Sequence, residues 1–78
     1  MSPTEEERAI LALRLAAERI CTLILTADYP AIDIEIEKAN LKRHVRATFP
    51  DKVRVYEMIY ESRFKRLWEQ WREPAAGP

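Results

Sequence analysis

The chain reads as an all-α fold, a three-helix, bundle-like domain with helices over about 3–27, 31–48 and 51–73. Two observations carry this reading. Four of the five prolines, Pro3, Pro30, Pro50 and Pro74, stand at near-regular places, and the single glycine is Gly77. Proline opens or ends helices and glycine frees the backbone for turns, so the stretches between these prolines contain neither breaker. Each stretch also carries apolar residues at helical spacing.

The first helix starts at Ser2-Pro3-Thr4-Glu5. Ser2 is placed to cap it, Pro3 lacks an N–H where none is needed, and Glu5 can complete a capping box. Glu5, Glu6 and Glu7 then suit the positive end of the helix dipole. Ala9, Ile10, Leu13, Ala16, Ala17, Ile20, Cys21, Leu23, Ile24 and Ala27 share one broad side. Leu11, Leu15 and Leu25 fall among the polar residues opposite, which predicts a second neighbour for this helix.

The two connectors resemble one another: Asp28-Tyr29-Pro30 and Thr48-Phe49-Pro50 each run polar, aromatic, proline. Proline drives the residue before it out of the helical region, so Tyr29 and Phe49 mark the corners. Connectors this short favour antiparallel packing of successive helices. Between the corners, Ile32-Asp33-Ile34-Glu35-Ile36-Glu37 alternates as a strand does. Helix is the preferred assignment, because a lone strand would have no pairing partner within the chain. A swapped dimer pairing this segment between two chains is the alternative.

The third helix is amphipathic, with Val53, Tyr56, Tyr60, Phe64, Leu67, Trp68 and Trp71 in one stripe. Val55, Met58 and Ile59 give its first half a second apolar side. Residues 1–73 are expected to form a single domain, and 74–78, Pro-Ala-Ala-Gly-Pro, a disordered tail.

A chain of 78 residues has room for one small core. Such a core rarely supplies more than about 3–5 kcal/mol net, so small scaffolds lean on disulfides, metals or partners. Cys21 is the only cysteine, which excludes a disulfide within the chain. Arg14, Glu18 and Arg19 interrupt the most apolar stretch, so no membrane span is expected. The acidic opening does not suit a signal peptide, and a cytoplasmic protein is the expectation.

The net charge is zero but unevenly distributed. Residues 1–37 carry eight acids and three bases, a balance of −5, and residues 38–78 carry ten bases and five acids, +5. Lys38, Lys42, Arg43, Arg46, Lys52 and Arg54 could therefore contact a nucleic-acid backbone. Solvated helix surface explains the same residues. The second helix has acids near its start and bases near its end, as its own dipole favours. No glycine-rich loop or nucleic-acid motif accompanies the bases.

Asp33, Glu37, Asn40 and His44 follow one side of the second helix, a chemistry that suits a cation. The set spans about 16 Å at a rise of about 1.5 Å per residue, so one ion cannot touch all four. Leu41 also stands where a paired Glu-x-x-His site needs glutamate. No metal site, cofactor or catalytic residue is expected. Cys21, on an apolar side without a neighbouring base, reads as a small buried hydrophobe rather than a nucleophile.

Association is the remaining route to stability. The expected function is that of a non-enzymatic interaction module or accessory subunit, forming a homodimer or larger assembly. The expected association residues are Leu11, Leu15 and Leu25 on the first helix. On the third they are Val55, Met58, Ile59, Trp68 and Trp71.

Overall fold

The computed structural model describes residues 4–26 and 28–72. The expected Ser2-Pro3 start, Ala27 and the 74–78 tail lie outside those residues. The described chain is all helical: α1 (Glu5–Leu25), α2 (Ala31–Thr48), a 3₁₀ turn (Pro50–Lys52), α3 (Val53–Tyr56), a π turn (Glu57–Glu61) and α4 (Ser62–Trp71). The elements from Pro50 onward follow without a break and form one third rod. Among the described residues no strand forms, and Ile32 to Glu37 lie inside α2.

Thr4 caps α1. Its backbone is extended (φ −69°, ψ 165°), and its hydroxyl accepts from the Glu7 N–H at 3.1 Å. That geometry places the acids Glu5–Glu7 in the first turn, where the dipole stabilises them. At the first corner Pro30 is itself extended (φ −60°, ψ 135°), and its carbonyl accepts from the Asp33 and Ile34 N–H groups. Phe49 leaves helical geometry (φ −132°, ψ 65°) just before Pro50, as a residue preceding proline must. Both corner rings, Tyr29 and Phe49, are partly buried against the core.

The core consists of Ala17, Ile20 and Ile24 from α1, Ile34, Leu41 and Val45 from α2, and Tyr56 and Phe64 from the third rod. Phe64 and Ile34 are fully enclosed. Leu67, Trp68, Tyr60 and Cys21 pack around them. Every buried residue of α1 lies in its second half, and that helix packs on α4 as well as α2. α3, by contrast, packs chiefly against α2 and its own neighbours. α1 and the third rod therefore close together at their C-terminal ends and leave an opening towards their N-terminal ends.

The π turn falls within the aromatic stripe of the third rod. Tyr56, Tyr60 and Phe64 recur every four residues. At about 100° per residue, each four-residue step overshoots a full turn by about 40°, so this stripe would drift round an α-helix. One wider turn, with the Ser62 N–H bonded back to the Glu57 carbonyl, absorbs the overshoot. Tyr56 and Phe64 are buried together, and the Tyr56 and Tyr60 rings sit 5.7 Å apart.

Arg72, just beyond α4, clamps the closed end. Its Nε donates to the Ile24 carbonyl at 2.8 Å. Its Nη2 is shared among the carbonyls of Leu23 (3.0 Å), Thr26 (2.6 Å) and Tyr29 (2.8 Å). The Leu23 and Thr26 carbonyls also accept from the backbone N–H groups of Thr26 and Tyr29, whereas those of Ile24 and Tyr29 lie at the frayed end where a helix runs out of its own donors. α1 has no base in its own last turn, so Arg72 also supplies the positive charge its dipole favours there. The guanidinium carbon lies 5.4 Å from the Trp68 ring centre, which holds the clamp in place.

Candidate functional site

The opening between α1 and the third rod is an apolar cleft of about 110 Å³. Ile10 and Leu13 form one wall, and Val55, Ile59 and Tyr60 the other. Val45, Phe49 and Tyr56 lie between them, with Lys52 at the side. Helical spacing builds each wall. Ile10 and Leu13 continue towards solvent the stripe that buries Ala17, Ile20 and Ile24 further along α1. Val55 and Ile59, four apart, repeat on the side of the third rod next to its buried Tyr56.

This cleft stands within a larger imbalance. Ten large apolar side chains are exposed among the described residues, against a core of eight. Of the association residues expected from the sequence, Leu11, Leu15, Leu25, Val55, Met58, Ile59 and Trp71 are all at least half exposed. Val55 and Ile59 meet in the cleft, and Met58, at 71% exposure, is the barest of the group. Leu11 and Leu15 follow the outer side of α1 and are not brought into it. Trp68 differs from the rest, because it packs on the core beneath Arg72. Ile10, Ile32 and Ile36 are exposed too, although the sequence does not mark them for association. Helical periodicity places Ile10 in the core stripe, and only the divergence of the two helices leaves it facing an opening.

The buried Tyr56 hydroxyl has no hydrogen-bond partner, in a side chain only 3% exposed. Burial, then the charges of Glu61 and Glu57, push its ionisation far above the usual tyrosine range. A buried hydroxyl left unpaired costs about 1–3 kcal/mol. It is the one polar side-chain group that the core leaves unsatisfied among the described residues.

The basic residues are divided by the fold. Lys42 reaches Glu57 at 3.4 Å and Glu61 at 3.8 Å, and Lys38 reaches Glu35 at 3.3 Å. Arg43, Arg46, Lys52 and Arg54 are exposed. Two of the six expected nucleic-acid contacts thus already have carboxylate partners within the chain.

The polar line on α2 is likewise put to structural use. Glu37 accepts from Arg19 Nε at 3.0 Å and from the Tyr29 hydroxyl at 3.0 Å. It thereby ties α1, the first corner and α2 together. The bond to Glu37 raises the pKa of Tyr29, because the carboxylate favours the protonated phenol. The same partner raises that of Arg19. Among the described residues no three His, Cys, Asp or Glu side chains gather as a metal site. Cys21 packs against the core, and burial pushes its thiol up, disfavouring the reactive thiolate.

No helix among the described residues is long and apolar enough to cross a membrane. The chain matches no protein-family model, no curated protein and no solved structure.

Proposed function

We propose that this chain is a non-enzymatic helical interaction module that works by associating with itself. The observation that carries the reading is the half-exposed apolar cleft, set in a molecule that leaves more large apolar side chains bare than it buries. Isolated apolar surface residues are ordinary, but contiguous ones around a concavity mark a contact site. The volume supports a protein partner over a small molecule. Small-molecule sites usually run to about 300–1,000 Å³, whereas this cleft suits an inserted side chain from a facing helix. A single, partly buried cysteine fits a reducing compartment such as the cytoplasm.

Association that binds only the folded chain makes stability depend on concentration. The melting temperature is expected to rise steadily across about a hundredfold increase in protein concentration. A melting temperature independent of concentration would overturn the proposal.

A further inference from the structure

We infer that the cleft receives a second copy of this chain, in a two-fold pairing that lays α1 of each protomer along the 53–61 segment of the other. This deepens the self-association reading and rests on it. Charge selects the pairing. The α1 wall begins at the acidic end of the molecule: Glu6 precedes Ile10 by one turn, and Glu5 and Glu6 border a depression that shares Phe49 with the cleft. The other wall begins with bases, Lys52 in the cleft lining and Arg54 beside it. Neither Glu6 nor Lys52 makes an ion pair among the described residues, although both are exposed.

One cleft thus presents an acidic wall and a basic wall at the same end. Two such faces can meet about a two-fold axis in two ways. An axis running across the cleft sets α1 on α1 and leaves acid over acid or over nothing. An axis running along the cleft exchanges the walls, so that each α1 covers the partner's third rod. Glu6 of one protomer then faces Lys52 of the other, twice, and Ile10 meets Val55 and Ile59. This contact is isologous and closes on itself, leaving no cleft open for a third copy. The chain as a whole carries no net charge to oppose pairing.

The test is sedimentation velocity over a concentration series, with circular dichroism confirming that each variant is folded. The substitutions fall on exposed positions. Glu6→Lys and Lys52→Glu, each alone, are expected to weaken the dimer about tenfold or more, because each sets like charges opposite one another at two places. The double variant is expected to return to within about threefold of the original. Ile59→Asp is expected to abolish pairing, and Ile32→Asp, on the far side of α2, to leave it unchanged. If the original chain dimerises but the double variant is as weak as the single ones, this pairing is wrong and self-association stands. The pairing is equally wrong if Leu15→Asp dissociates the dimer while Ile59→Asp does not. A chain that stays monomeric throughout overturns both.

Discussion

Replacing Arg72 by alanine removes four hydrogen bonds to carbonyls, of which those of Leu23 and Thr26 keep a backbone N–H partner and those of Ile24 and Tyr29 lose their side-chain donor. The bonds to Leu23, Ile24 and Tyr29 are partly buried, and the bond to Thr26 is exposed. Hydrogen bonds from a charged donor are worth about 1.5–3 kcal/mol each, but these four share one guanidinium and do not add. Water can also reach carbonyls this near the surface. A net loss of about 2–3 kcal/mol follows, including the charge at the α1 terminus and the contact with Trp68. For a domain of this size, each kcal/mol moves the melting temperature by about 4–8 °C. Arg72→Ala should therefore melt about 10–20 °C lower, measured by circular dichroism at fixed concentration. Arg72→Lys should recover less than half of that, since an ammonium restores charge but not the planar fork. If Arg72→Ala melted within about 2 °C of the original, the clamp would be a surface contact of no consequence.

Other expectations can be checked with the same preparation. Tyr56→Phe deletes a buried hydroxyl that has no partner, so it should leave stability unchanged or raise it by up to about 1 kcal/mol. A clear loss in a denaturant titration would mean that the hydroxyl is bonded in solution. Tyr56 holds its proton more tightly folded than unfolded, so its contribution is intact below the usual tyrosine pKa of about 10. Stability should fall as pH rises above that value, and the fall should be shallower in Tyr56→Phe, where only the raised Tyr29 and Cys21 groups still contribute to it. Phe64→Ala empties the centre of the core at a cost of about 3–5 kcal/mol. That matches the whole net stability expected of so small a domain, so its far-ultraviolet spectrum at 25 °C should be that of a largely unfolded chain. Glu37→Gln should lower the pKa of Tyr29 towards its ordinary value, read from the ultraviolet titration of the phenols.

The helical outline is legible because its signals are local. Tyr29-Pro30 and Phe49-Pro50 constrain their own backbone, and the structure turns at both. The alternating isoleucines of α2 illustrate the limit of a period read alone. Ile34 is buried while Ile32 and Ile36 are exposed, as a helix packed on one side requires. The Thr4 cap escapes a reading of the sequence because it depends on an extended backbone at Thr4, which lets its hydroxyl reach the Glu7 N–H. The four-residue spacing of Tyr56, Tyr60 and Phe64 is in plain sight, but Ala16, Ile20 and Ile24 share it without a wide turn, so spacing alone does not place one. Arg72 leaves no comparable trace, because its acceptors lie 43 to 49 residues earlier. The cleft is tertiary in origin as well. Val55 and Ile59 stand out as surplus apolar residues, whereas Ile10 joins their surface only through the divergence of two helices.

The mass of the purified chain in solution, followed by light scattering from low to high micromolar concentration, tests self-association most directly. Paired clefts predict a rise to twice the 9.2 kDa of one chain, with no further increase once the two have covered each other. A mass that stays at 9.2 kDa at the highest concentration would contradict this, and the bare cleft would then be a feature the folded monomer tolerates.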